Sequence, residues 1–328
     1  MTKEIYVDAF LEYLGQGMSN PVLVMGSDFN RYILKNEEVD IDGNKQNFNC
    51  MFLNELLACK IGEYLNVPIP EPAIARIDRR LIDNSPVMRF TYRFKEGCYF
   101  ASEELSEVEN NLMENMSELM EMRKPYIVRS WNVFFDNIIN KKDIAKILAF
   151  DILIGNFDRY TNEGNILISL SDKGRRIYAI DHGHAFWGPT WNQGKINHLN
   201  NDKLDQDYII YFLNSILKIN QGSLNGLGTI FRALESHVDL SNVNQHDFIE
   251  IVHNIESIDE EFLDDCFKEV PDSWFINKPT QIALYKKFIL NQKNMIRHII
   301  QELAKRGAFT NFRGGALEWK KEKQYGTA

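Results

Sequence analysis

Three side chains between Ile154 and Phe186 have the types and spacing for phosphoryl transfer: Asp158, Asn165 seven positions later, and Asp181. One carboxylate can orient an acceptor hydroxyl and take its proton. An amide oxygen and a second carboxylate suit Mg²⁺, which prefers hard oxygen donors. ATP and Mg²⁺ are the cofactors this set calls for. The stretch IGNFDRYTNEGNILISLSDKGRRIYAIDHGHAF opens on Asn156, Asp158, Arg159, Asn162 and Asn165, and closes on Asp181, His182 and His184. Between them, the apolar runs Ile166–Leu170 and Ile177–Ile180 are joined by Ser171-Asp172-Lys173-Gly174. That pattern predicts a β-hairpin with Asn165 and Asp181 at its open end and Asp158 in the loop before it.

Other readings of the same residues stand beside this one. Asp158 could sit in a turn held by Arg159, and Asn165 and Asp181 could stitch the hairpin mouth by hydrogen bonds. Asp181-His182-Gly183-His184 could hold Zn²⁺ or Fe²⁺ in a metallohydrolase, but the other histidines supply no H-x-x-x-H or H-E-x-x-H pattern. A structural imidazole is the simpler assignment for His182 and His184, and Asn162 is a weaker metal ligand than Asn165. A nucleotide-binding pseudokinase that acts as an interaction module is a further alternative.

Upstream, Lys35 ends the apolar run Arg31–Lys35, and Glu55 lies about one turn into the following helical pattern. A strand lysine reaching ATP phosphates, braced by a helical glutamate, is a recurrent kinase arrangement. Gly15–Pro21 (GQGMSNP) is neither a Walker A nor a G-x-G-x-x-G loop, but backbone N–H groups in such a turn can cradle phosphate.

These residues need scaffolding. Residues 1–95 predict strands at Tyr6–Leu14, Val22–Met25, Arg31–Lys35, Ala73–Ile77 and Val87–Phe94, with a polar loop over Asn36–Gln46. One helix is expected over Asn49–Leu65, capped by Asn49 and ended by Val67-Pro68-Ile69-Pro70. Residues 96–328 read as mainly helical: Leu105–Met122, which is acidic, then Asp143–Gly155, Asp205–Lys218, Ser223–Glu235, Ser241–Ile255, Glu260–Val270 and Thr280–Ala304. The fold expected is α+β and two-lobed, with a strand-rich N-terminal nucleotide-binding lobe at 1–95 and a helical lobe at 96–328 carrying the catalytic and metal-binding loops.

The 328-residue chain has a formal net charge of −9, which argues against direct nucleic-acid binding. No apolar run approaches the roughly 18 residues of a membrane span. Acidic residues inside the first apolar run argue against a secretory signal. The four cysteines, Cys50, Cys59, Cys98 and Cys266, are scattered, which fits reduced thiols and a cytoplasmic location.

Taken together, these segments resemble the HipA-like kinases, in particular the compact family with a HipA-like kinase domain. GMSNPVLVMGSDFNRYILK at Gly17–Lys35 is similar to the phosphate loop and ATP-binding lysine strand, and NELLACKIGEYLNVPIP at Asn54–Pro70 to the N-E helix and its exit. NFDRYTNEGNIL at Asn156–Leu167 is similar to the catalytic loop, IDHGHAF at Ile180–Phe186 to the metal-binding segment, and VPDSW at Val270–Trp274 to the closing region. Tyr160 stands where related catalytic loops often have His. The resemblance implies a protein-kinase-like fold and a serine/threonine-protein kinase acting on a protein of unknown identity, with itself among the candidates. Asp158 would be catalytic, Asn165 and Asp181 the Mg²⁺ ligands, Lys35 the phosphate contact and Glu55 its positioner. Ser19 and Asn20 would belong to the nucleotide-binding loop, with Ser19 a candidate for autophosphorylation. An antitoxin-like or regulatory protein partner is a family-level expectation.

Overall fold

The computed structural model describes residues 1–15, 20–41, 43–109, 134–160, 162–219 and 227–320. Its N-terminal part is strand-rich and its C-terminal part helical. Five strands close into a barrel in the order β1 (Lys3–Tyr13), β2 (Val22–Gly26), β3 (Arg31–Leu34), β7 (Gly97–Glu103) and β6 (Pro72–Ile77). All neighbours are antiparallel except β1 and β6, which run parallel. The barrel places Val22 opposite Leu34 and Ile77 opposite Gly97, so Leu14, Pro21, Lys35 and the β6–β7 connector gather at one end.

Three stretches depart from the sequence reading. Asn36–Gln46 contains a hairpin, β4 (Glu38–Ile41) with β5 (Asn44–Asn47), not only a loop. All four β5 residues are exposed, so no apolar alternation announced it. Val87–Phe94 is no strand: Val87–Thr91 is a π-helical turn entered from Pro86, and within that turn only Met88 is buried. The strand lies further on, in β7. Leu105–Met122 also differs where it is described, because residues 105–109 are not helical and Val108 bridges Ser169. The remainder of that segment lies outside the described residues.

Helix α1 (Met51–Tyr64) is buried on nearly every face. Asn49 does not cap it; Cys50 occupies that position, and the Asn49 side-chain oxygen accepts from Trp191 N–H at 2.8 Å. A helix buried all round must satisfy any polar side chain it carries. On α1 these are Asn54 and Glu55, and both reach the His182–Gly188 segment. Between β6 and β7 lies the short helix α2 (Arg79–Asn84). Helix α3 (Asp143–Ile154) is also almost wholly buried and ends on Gly155, whose φ of +63° is the left-handed conformation that glycine supplies at a helix C-terminus. That turn aims the chain into Asn156–Asp158. The hairpin β8 (Ile166–Ser171) and β9 (Gly174–Ala179) follows, as its apolar runs require.

The remaining helices are α4 (Gln193–Leu199), which the sequence did not suggest, α5 (Gln206–Ile219), α6 (Thr229–Glu235), α7 (Phe248–Glu256), α8 (Glu260–Lys268) and α9 (Lys278–Lys305). Among the described residues, no helix is long and apolar enough to cross a membrane. All four cysteines are free.

Candidate active site

Lys35 leaves the end of β3 and is 9% exposed. Its Nζ lies 2.5 Å from Glu55 Oε1 on α1 and 3.0 Å from Asp181 Oδ1, just past the open end of the β8–β9 hairpin. Burial opposes the Lys35 ammonium, but the Asp181 and Glu55 carboxylates outweigh it and hold the pKa above the ordinary lysine value. For Glu55, burial works toward protonation; Lys35 and His182 overcome it and keep the carboxyl well below its usual range. The other Glu55 oxygen accepts the His182 backbone N–H at 3.0 Å. One strand, one helix and the segment after the hairpin are thus tied through a single lysine–glutamate pair.

Asp158 and Asn165 form a second group. Asn165 Nδ2 donates to Asp158 Oδ2 at 2.8 Å. Arg159 does not hold Asp158. It is fully buried, donates Nε to both oxygens of Asp151 on α3 at 3.1 and 2.9 Å, and donates to the backbone carbonyls of Asn165 and Ile180. Burial lifts the Asp151 carboxyl to about 6 against the pull of Arg159. Ile180 N–H reaches Asn165 O at 3.1 Å, so Asn165 and the chain entering Asp181 stand side by side at the hairpin mouth. Asn156 Nδ2 reaches the Asp181 carbonyl at 3.5 Å. Asp181 itself has φ +59°.

The supporting residues are buried, whereas Asp158 and Asp181 are half-buried and open to a ligand. Among the described residues, Asp181 Oδ2 and Asn165 Oδ1 have no hydrogen-bond partner. Carboxylate and amide oxygens at one hairpin mouth are a donor set suited to Mg²⁺.

Other expected residues fall elsewhere. Asn162 Oδ1 accepts from Gly164 N–H at 3.1 Å and shapes the loop. His182 is buried against Phe150, and His184 lies edge-on to Phe48. The His/Cys/Asp/Glu grouping tight enough for a metal, among the described residues, is Glu55, Cys59 and His182; Asp181 and His184 do not join it. Asn20 has φ +47° and its side-chain oxygen accepts from Tyr13 OH at 3.4 Å. Ser19 lies outside the described residues.

Sequence reading missed the network behind the site. Asn54 Nδ2 donates to the carbonyls of Gly183, Ala185 and Gly188 at 2.6, 2.9 and 3.1 Å. Its Oδ1 accepts from Tyr285 OH at 2.6 Å and from Lys195 Nζ at 3.2 Å. Lys195, 1% exposed, also donates to Gly188 O at 2.6 Å, and burial pulls its pKa down to about 7. Gly183 fits only without a side chain, because a Cβ there would lie 2.6 Å from Met51 Cγ. The N-E pair on α1 was the visible signal for Asn54; nothing in the sequence marks Lys195.

A family model described as HipA-like kinase matches residues 7–209. Among solved structures, the Helicobacter pylori proinflammatory kinase CtkA is similar over 94% of this chain and 98% of its own, with 14% identity and a TM-score of 0.49. No curated protein matches the chain.

Proposed function

Because this chain belongs to the HipA-like kinase family, we propose that it transfers the γ-phosphate of ATP, with Mg²⁺, to a Ser or Thr hydroxyl of a protein. The fold would be two-lobed and protein-kinase-like, with the nucleotide-binding lobe at 1–95 and the helical lobe at 96–328. The observation that carries the reading is the position of Lys35, bonded at once to Glu55 on α1 and to Asp181 beyond the hairpin. A buried lysine between two carboxylates has a fixed position, and its charge is available to phosphate oxygens at the half-buried Asp181.

Asp158 would orient the acceptor hydroxyl and accept its proton, held in place by Asn165 Nδ2. Asn165 and Asp181 would hold the metal. Held by these two side chains, Mg²⁺ would supply positive charge to offset that of the phosphates. Glu55 keeps Lys35 in register, and Ser19 and Asn20 belong to the loop that would cover the phosphates. Arg159 touches no substrate in this scheme; it ties the two hairpin strands together at the mouth, where Asn165 and Asp181 would hold the metal.

The test is incubation of the whole protein with γ-labelled ATP, MgCl₂ and protein acceptors, itself included. Label on serine or threonine that vanishes with EDTA and in Asp158→Ala supports the reading. Transfer that persists in Asp158→Ala, or that needs no divalent cation, overturns it.

A further inference from the structure

The β6–β7 connector carries charge that the catalytic groups do not use. Helix α2 and the π-helical turn border an open cleft of about 480 Å³, whose lining includes Arg79, Arg89, Phe90, Arg93 and Lys95. Arg79 and Arg89 share one carboxylate, Asp83, at 3.6 and 3.4 Å. Lys95 pairs with Glu38. Arg93 is exposed, has φ +58°, and has no ion pair among the described residues. Glu96 is the other acidic residue in the lining. Phe90 is 71% exposed, with the Arg89 guanidinium 5.1 Å from its ring centroid.

The cleft borders the barrel end where the site lies. Tyr92 stacks on Tyr13, the last residue of β1, at 4.6 Å, and its carbonyl accepts from Asn36 Nδ2, one residue past Lys35, at 2.9 Å. The lining sets four cations against the carboxylates of Glu38, Asp83 and Glu96, leaving Arg93 without an ion pair beside an exposed aromatic ring, on a chain of net charge −9; that combination suits a ligand both acidic and apolar.

We propose that this cleft docks a short acidic segment of the protein acceptor, with carboxylates on Arg89 and Arg93 and an apolar side chain on Phe90. The inference rests on the phosphotransferase reading above and names its acceptor class as acidic. A nucleic acid would need a longer basic track than this connector offers.

A fluorescein-labelled peptide, Glu-Glu-Phe-Glu-Glu, titrated onto the whole protein and read by anisotropy tests the site without relying on catalysis. Binding should weaken with NaCl and fall about tenfold in the Arg89→Glu/Arg93→Glu double variant. Thermal melting of that variant should match wild type, since both side chains are exposed. In a transfer assay, the variant should raise KM for dephosphorylated casein and leave KM for ATP unchanged. Equal peptide binding by the variant, or tighter binding of Lys-Lys-Phe-Lys-Lys or a labelled oligo-dT, overturns the proposal. If the acidic peptide binds through Arg89 and Arg93 while no phosphate is transferred to any acceptor, the phosphotransferase reading fails and the docking site stands.

Discussion

Arg159 and Lys195 are two buried cations that act on the site from behind, in opposite electrostatic settings. Arg159 pairs with Asp151 through Nε, shared between both carboxylate oxygens, so Arg159→Met leaves a buried carboxylate unpaired and should cost about 3–5 kcal/mol, read by denaturant unfolding. Asp158→Ala should lower γ-phosphate transfer by about 10²–10⁴-fold with nucleotide binding retained, measured by single-turnover labelling and by nucleotide titration. Asp181→Ala should lose transfer and weaken Mg-nucleotide binding as well. Lys195 has no carboxylate partner among its hydrogen bonds, only Asn54 Oδ1 and Gly188 O. Its folded pKa of about 7 lies below the ordinary value of 10.5, so between these limits the unfolded chain binds more protons. Its contribution to stability therefore rises with pH across that window. The melting-temperature difference between wild type and Lys195→Met should shift in favour of wild type from pH 7 to 9; a pH-independent difference would refute the assignment. Asp158, Asn165 and Asp181 stand out in the sequence because they are polar residues flanking apolar strands. The alternative in which Arg159 holds Asp158 fails, and its actual partners were not legible, because two of its acceptors are main-chain carbonyls, which leave no mark on residue type.

At the scale of elements, the fit of α1 against the Asp181–Gly188 segment decides whether Lys35 and Asp181 meet. At Gly183 a Cβ would lie 2.6 Å from Met51 Cγ. Gly183→Ala should destabilise the protein by about 1–3 kcal/mol through overpacking against Met51, and Met51→Ala in the same chain should recover part of it. Thermal melts of the single and double variants check this; additive losses would show that the two positions do not meet. Strong patterns made α3 and the β8–β9 hairpin readable: a dense apolar helix ending in glycine, and two apolar runs around a polar turn. The β4–β5 hairpin was hidden because β5 buries nothing. Val87–Phe94 misled for the converse reason, since its aromatic and β-branched residues have strand propensity, yet Phe90 faces solvent. Propensity there yielded to the turn that leads the chain from α2 into β7.

Across the whole molecule, the C-terminal part reaches back to the barrel through a few contacts. Trp274 Nε1 donates to Cys98 O on β7 at 2.9 Å, and its ring packs 5.3 Å from that of Phe52 on α1. The closing V-P-x-x-W segment was legible as a motif, but its barrel partner was not, since the two are far apart in sequence. Asp181 has a consequence at this scale. A left-handed backbone at a residue with a side chain stores roughly 1–3 kcal/mol. Asp181→Gly and Asp181→Ala both remove the carboxylate, so their difference isolates the backbone, and Gly should be the more stable by about 1 kcal/mol by chemical denaturation. A library at this codon sorted only for heat resistance against other carboxylate-free variants would therefore enrich glycine, a residue unable to ligate a metal.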